Sequence, residues 1–311
     1  MLFLKYPVAE IAEVLERDRS TVYREIKRNE NSDGRYLPGV AQCKANSRRL
    51  GKSQSPKTGN LELMNLVKEK LKERWSPDEI SGRFREIEYP HDESMHISHQ
   101  SIYRWIYSDA KRAQEIKPFM RIAHKPRRKA YGKPSSRGII PDRVPIRERP
   151  EIVKTRERIG DWEADTMVGK GHKSFIMTCV DRKSRLLVSG KMIDKQAASL
   201  NKALLKSFKE IGKDKVLTIT VDNGKEFAGF KELQKKLKAD VYFADPYCSW
   251  QRGTNENTNG LTRQFFPKKT DFEKVSQKEL DKVVELLNNR PRKCLNYRTP
   301  AEVFNKSACC T

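Results

Sequence analysis

A chain of 311 residues is too long for one small domain and long enough to bury a core in each of two or three. Its 64 lysines and arginines against 41 acids leave a formal charge of +23, spread as +12 up to residue 150 and +11 beyond it; that field suits a polyanion met along much of the chain, the alternative being a merely soluble basic protein. Six cysteines without ligand spacing and no apolar run near the ~20 residues of a membrane span exclude structural zinc, a disulfide framework and insertion into a bilayer, and the expected compartment is the cytoplasm.

Residues 5 to 30 read as two short helices and a turn. Pro7 starts the first, with Ile11, Ala12 and Leu15 on one face, and Ser20 caps the second, with Val22 and Ile26 inward. Thr21, Arg24, Lys27 and Arg28 then face outward. The spacing of Ala12, position 16 and Val22 is that of a helix-turn-helix, although position 16 is Glu rather than the usual glycine. The other reading is an ordinary helical hairpin with a solvated basic face. Residues 31 to 60, rich in Gly, Ser, Asn, Lys and Arg, read as a linker.

Residues 61 to 115 form a second helical module. Leu63, Leu66, Val67 and Leu71 mark a helix closed by Trp75, and Ser76-Pro-Asp-Glu79 is a capping box ahead of Ile80, Phe84 and Ile87. Ser98 caps a helix from His99 to Tyr107 whose outward Gln100, Ser101 and Arg104 can meet bases or phosphates; a small bundle for protein contacts is the alternative. From 116 to 157 the chain reads as a basic arm. Between Lys117 and Arg149 there are eleven Lys or Arg against two acids, densest at Lys125-Pro-Arg127-Arg128-Lys129.

Beyond residue 158 the pattern becomes mixed. Strands are expected at 159–168, 175–180, 185–191, 216–221 and 241–244, and helices at 197–211, 227–237 and 255–265. Ser276-Gln-Lys-Glu279 caps a last helix through Leu280, Val283, Val284 and Leu287. This is an α/β domain, a mixed sheet covered by helices. Three acids stand in short motifs: Asp165 in Gly160-Asp-Trp-Glu-Ala-Asp165, Asp222 in Thr220-Val-Asp222-Asn-Gly, and Glu256 in Gly253-Thr-Asn-Glu256-Asn. Carboxylates that converge from separate elements make a hard-oxygen site for Mg²⁺, the apparatus of phosphoryl transfer. Each acid has a plainer reading. Asp222-Asn-Gly is turn chemistry, Glu256 can be solvated, and Asp161, Glu163 and Asp165 alternate on one strand face so that spacing does not choose among them. Lys225 and Arg263 are candidates for positioning phosphates, or surface charges.

Taken together, Ser20-Thr-Val-Tyr-Arg-Glu-Ile-Lys-Arg-Asn29, Trp75-Ser-Pro-Asp-Glu-Ile80, Ser101-Ile-Tyr-Arg-Trp-Ile-Tyr107, Gly160 through Thr166, Asp222-Asn-Gly-Lys-Glu-Phe227, Gly253 through Pro267 and the tail Asn289-Arg-Pro-Arg-Lys with Leu295, Tyr297 and Thr299-Pro300 resemble DDE-type transposases of the insertion sequence thirty family over nearly the whole chain. The resemblance implies a ribonuclease-H-like catalytic domain over 158–311, preceded by small all-α helix-turn-helix modules. It selects Asp165 with Asp222 and Glu256 as ligands of two Mg²⁺ ions, with Mn²⁺ able to substitute. It implies binding of the element's terminal inverted repeats, strand cleavage by water and strand transfer by a DNA 3′-hydroxyl. The partners implied are double-stranded DNA and further copies of the chain on it, with no membrane or small-molecule substrate, in the nucleoid. The family usually carries one more helix ahead of the first module, so that module is expected to lack its first helix. A regulator with a dead catalytic domain, a nuclease that cuts without joining and an RNA-acting enzyme are the rival readings. The first predicts a missing acid, and all three are present; the paired helical modules favour duplex DNA over RNA.

Overall fold

The computed structural model describes residues 6–53, 56–121, 140–246 and 248–308. The chain divides into two compact units, Met1–Met64 and Asn65–Thr311.

In the first unit, α1 (Val8–Val14) and α2 (Arg19–Asn29) bury Ile11, Ala12 and Val22 against each other, with Val8 and Ile26 at the margin. Glu16 takes a left-handed φ of 51°, the conformation that a glycine would adopt freely at that point in the turn. The cap of α2 differs from expectation. Asp18, not Ser20, is the capping residue, and its carboxylate accepts the Ser20 N–H at 2.8 Å. The stretch expected as a linker contains a helix, α3 (Pro38–Ser53). Polar ties rather than an apolar stripe hold it to α2: Lys44 Nζ donates to the Glu30 carbonyl at 2.7 Å and Arg48 donates to the Asn29 side chain. That is why a composition poor in apolar residues concealed it.

The helices that follow are α4 (Leu61–Lys72), α5 (Pro77–Arg83), α6 (His99–Tyr107) and α7 (Ala110–Ile116). The capping box of Ser76 and Glu79 forms as expected, and α5 runs on into a wider π turn over Phe84–Glu88. Ile80, Phe84, Ile102, Ile106 and Ile116 are all buried, with α5 packed on α6 and α6 on α7. This group and the sheet belong to one compact unit. Arg83 grips Glu302 with two bonds of 2.8 and 2.7 Å, and Arg290 reaches Glu79 at 2.8 Å.

The sheet is built from β1 (Val144–Pro145), a short α8 (Glu151–Thr155), β2 (Asp161–Val168), β3 (Phe175–Asp181), β4 (Leu187–Met192), α9 (Ala197–Ile211), β5 (Thr218–Val221), α10 (Phe230–Leu237) and β6 (Asp240–Phe243). Then come α11 (Gly253–Thr262), α12 (Gln277–Asn288) and α13 (Pro300–Ala308). The strand order is β1-β6-β5-β2-β3-β4. β2, β3 and β4 run antiparallel, while β5 pairs parallel to β2, β6 to β5 and β1 to β6. Three antiparallel strands extended by strands parallel to the first give the ribonuclease-H-like sheet.

Alternation along the strands makes two cores. Trp162, Ala164, Met177 and Cys179 pack with Leu200, Leu204 and Phe208 of α9 and with Phe230 and Leu233 of α10. Met167, Ile176 and Val180 lie on the opposite face with Leu261 of α11 and Leu280, Val283 and Leu287 of α12. Asp161, Glu163 and Asp165 share the parity of Met167, so they look toward α11. β5 is buried along its whole length: Ile219 and Val221 enter the apolar core, while the Thr218 and Thr220 hydroxyls are satisfied by Asp161 and Arg149. Among the described residues, no helix is long and apolar enough to cross a membrane.

A Cβ at Gly82 of α5 would lie 2.2 Å from two ring carbons of Tyr297. Gly82→Ala should therefore destabilise the second unit by about 1–3 kcal/mol despite alanine's better helix propensity. Thermal unfolding checks this, with Gly39→Ala, which has open space around it, as the harmless control.

Candidate active site

The parallel register of β2 with β5 sets Glu163 opposite Thr220, so two residues further along Asp165 and Asp222 come level at one edge of the sheet. A guanidinium spans them. Arg252, just ahead of α11, approaches Asp165 Oδ1 at 3.4 Å through Nη1 and Asp222 Oδ2 at 3.3 Å through Nη2. Each carboxylate is fixed by its other contacts. Asp165 accepts the Thr166 N–H at 2.8 Å and Asn259 Nδ2 at 3.0 Å. Asp222 accepts the Gly224 N–H at 2.9 Å, and Asn223 Nδ2 ties the same loop to the Ala244 carbonyl at 2.7 Å. Gly224 leaves room for this closure, since a Cβ there would meet Asp222 Oδ1 at 2.8 Å. The Asp-Asn-Gly stretch is thus both a turn and a carboxylate support.

The alternating acids of β2 separate by environment. Asp161 pairs with Arg158 at 2.9 Å and accepts Thr218 Oγ1 at 2.8 Å. Glu163 is fully buried, paired with Arg182 at 2.6 Å and accepting the Asn255 N–H at 2.9 Å. Arg149 crosses the same interior to Thr220 Oγ1 at 2.9 Å; its burial, with Arg182 nearby, brings that guanidinium down to about 10. Both Asp161 and Glu163 are therefore consumed by structure. Asp165 alone of the three keeps an accessible side chain, 27 % exposed, and shares a cation with Asp222.

Helix α11 is locked onto the sheet by Asn255. Its Nδ2 donates to the carbonyls of Glu163 at 2.7 Å and Thr178 at 3.1 Å, while Thr178 Oγ1 donates to its Oδ1 at 3.2 Å. One turn on, Asn259 Oδ1 lies 2.9 Å from the same Thr178 hydroxyl, so the two amide oxygens share its one proton, while Asn259 Nδ2 donates to Asp165. Glu256 stands exposed on the first turn of this helix, outside the Asp165–Asp222 pair. Among the described residues no three His, Cys, Asp or Glu side chains gather as a ready metal cluster. The acids meet as a pair, with the third on the adjoining helix.

Those two carboxylates fit a divalent cation. Their oxygens are hard donors, and they already hold one positive group between them. Burial pushes the Asp165 carboxyl above its ordinary value; Arg252 pulls it back and Asp222 adds to the rise.

The other expected residues divide. Thr21, Arg24, Lys27 and Arg28 are exposed on α2, with Arg24 folded back onto Ser20 and Thr21. Gln100 and Arg104 are exposed on α6, whereas Ser101 is half-buried and its N–H serves the Ser98 cap at 3.1 Å. Lys225 is exposed in the turn after Asp222. Arg263 is committed to backbone, donating to the Val168 carbonyl at 2.9 Å. Arg127, Arg128 and Lys129 lie outside the described residues. Reading by residue type passed over Arg252, Asn255 and Asn259. The signal for the asparagines was their i, i+4 spacing beside Glu256 in a helix otherwise short of apolar residues.

The integrase core domain family matches residues 156–249. Over 308 residues the chain is 41% identical to the transposase for insertion sequence element IS4351 of Bacteroides fragilis, covering 98% of this chain and 92% of that one. The chain belongs to the IS30 family of insertion-sequence transposases. Transposase InsI of IS30A from Escherichia coli strain K12 is 37% identical over 320 residues, all of this chain and 82% of its own. The catalytic core domain of BIV integrase matches 49% of this chain and 97% of its own at 19% identity, with a TM-score of 0.40. This transposase is thus a member of a group of DNA-cutting and DNA-joining enzymes with an integrase core.

A raised carboxyl value means that ionised Asp165 is less favourable folded than unfolded. The metal-free transposase should gain stability when Asp165 becomes Asn at neutral pH. Wild type should close the gap as pH falls through the folded value toward the unfolded one near ~3.9. Melting curves of the two proteins in chelator from pH 7 downward measure this. A less stable Asp165→Asn variant at pH 7 contradicts it.

Proposed function

We propose that this transposase binds the terminal inverted repeats of its element, cuts there, and joins the freed ends to target DNA at a divalent-metal site made by Asp165, Asp222 and Glu256. The observation that carries this reading is the Asp165–Asp222 pair, level on adjacent strands and held across one cation. Mg²⁺ at two positions, with Mn²⁺ as a substitute, suits oxygen donors of this kind. Bound there, divalent metal supplies Lewis-acid activation of the attacking oxygen, water or a 3′-hydroxyl, and charge stabilisation at the leaving one.

The protein's own part is orientation. Asn259 and the Thr166 N–H turn the Asp165 carboxylate toward the sheet edge, and the Gly224 N–H does the same for Asp222. Asn255 fixes the first turn of α11 on β2 and β3, and with it the backbone that carries Glu256. Arg252 offsets the repulsion between the two aspartates before metal arrives. The exposed faces of α2, with Thr21, Arg24, Lys27 and Arg28, and of α6, with Gln100 and Arg104, are the surfaces proposed to meet duplex DNA. The +23 charge supports them. Bringing two element ends together calls for more than one copy on the DNA, and a cytoplasmic, nucleoid-bound enzyme fits that task.

Strand transfer with Mg²⁺, on DNA carrying the flanking ends of the element, tests the reading. Wild type should give joined product, and Asp165→Asn, Asp222→Asn and Glu256→Gln should each lose about a hundredfold or more, since even groups one step removed from a metal cost tenfold to a hundredfold. Cutting without joining would favour the simple nuclease. Equal joining by Glu256→Gln would remove that residue from the set.

Metal binding without turnover gives an independent check. Because Arg252 competes for the same oxygens, Arg252→Ala should bind Mn²⁺ several-fold more tightly than wild type in calorimetry. Weaker binding by the variant would show that the arginine builds the site instead of contesting it.

A further inference from the structure

A pocket of about 290 Å³, which reaches α11 through Arg121, is not used by the proposed chemistry. Its walls are aromatic: Trp75 after α4, Tyr103 and Tyr107 of α6, and Phe119. Its cations are Arg74, Arg121 and Arg290. Arg290 is spent on Glu79 and Gln264. Arg74 lies over the rings of Phe119 at 5.8 Å and Phe265 at 4.7 Å, and among the described residues neither it nor Arg121 pairs with a carboxylate. Tyr103 and Tyr107 remain 39 % and 44 % exposed. Exposed aromatic surface beside guanidinium groups that meet no carboxylate among the described residues suits a ligand with a flat π face and a negative charge.

Two further observations narrow that ligand. Gln100, Tyr103, Arg104 and Tyr107 follow the i, i+3, i+4, i+7 spacing of one helix face, so the tyrosines lie on the side of α6 proposed to meet DNA. Arg121 donates to Asn257 Oδ1 at 3.3 Å, which joins the pocket rim to the residue next to Glu256. The volume is too small for a helix, which is about 10–12 Å across with its side chains, and no duplex can enter it. A single planar ring can.

We propose that this pocket receives one unstacked nucleobase of the bound DNA, stacked on Tyr103 and Tyr107, with its phosphate met by Arg74 or Arg121. The proposal rests on the DNA reading above and adds a place where the duplex is locally opened. A base leaves the stack most cheaply where it has no pairing partner, and stacking on aromatic side chains is indifferent to base identity. The pocket therefore selects DNA by distortion rather than by sequence.

The test uses the full chain and two labelled duplexes of the same sequence, one fully paired and one with a single extrahelical thymine, compared by fluorescence anisotropy. Wild type should bind the second about tenfold more tightly, the size expected of one stacked base. The Tyr103→Ala/Tyr107→Ala variant, checked for an intact melting transition, should bind both alike. The Tyr103→Phe/Tyr107→Phe variant keeps the rings and should keep the preference. Equal binding of the two duplexes by wild type, or a preference that survives the double alanine change, overturns the pocket while leaving DNA binding in place. Failure of wild type to bind either duplex overturns the DNA reading and the pocket with it.

Discussion

One buried amide organises the catalytic half of this protein. Asn255 sits beneath the first turn of α11 and exchanges hydrogen bonds with two neighbouring strands, through the Glu163 and Thr178 carbonyls and the Thr178 hydroxyl. Its own N–H satisfies a carboxylate oxygen of buried Glu163, whose other oxygen meets Arg182. Such a network is costly unless complete and specific when it is, because every misplacement strands a polar group away from water. Here the principal partners are matched. The helix bearing Glu256 is therefore set against the strand bearing Asp165 by directional bonds, with Leu261 adding apolar contact one face further on.

Electrostatics divides between stiffening and readiness. Arg83 with Glu302, a two-point pair, and Arg290 with Glu79, where Nε and Nη2 meet one oxygen, join the helices after residue 65 to the C-terminal elements. Arg158, Arg182 and Arg149 serve the interior of the sheet. Arg252 differs from all of these, since its two partners are themselves a repelling pair and its buried Nε has no hydrogen-bond partner among the described residues. It stabilises an arrangement that would otherwise strain, and leaves that arrangement able to accept a stronger cation.

Much of this was legible in the chain. The β-branched-rich run Val216-Leu-Thr-Ile-Thr-Val221 announced a strand with Asp222 at its end, as the run to Val168 did for Asp165, and the pairing of the two brings both acids to one edge. Ser76 and Ser276 announced their helices through capping boxes that both form. What escaped was held by polar contacts that leave no hydrophobic period. Helix α3 is fastened by Lys44 and Arg48, the choice among Asp161, Glu163 and Asp165 turns on which arginines reach them, and Arg263 looks like a free cation until its bond to the Val168 carbonyl is seen. Ser20 and Asp18 are both sound caps by type, and only the backbone decides between them.

The alternation along β2 has one more effect. Even positions carry Trp162 and Ala164 into one core, while odd positions carry three acids toward α11. A slip of a single residue would thrust Asp161, Glu163 and Asp165 among Leu200, Leu204 and Phe208 and turn the indole outward. The strand thus proofreads its own alignment: the pairing that closes the apolar interior is also the one that presents the reactive edge, and a chain mispaired here forfeits both together.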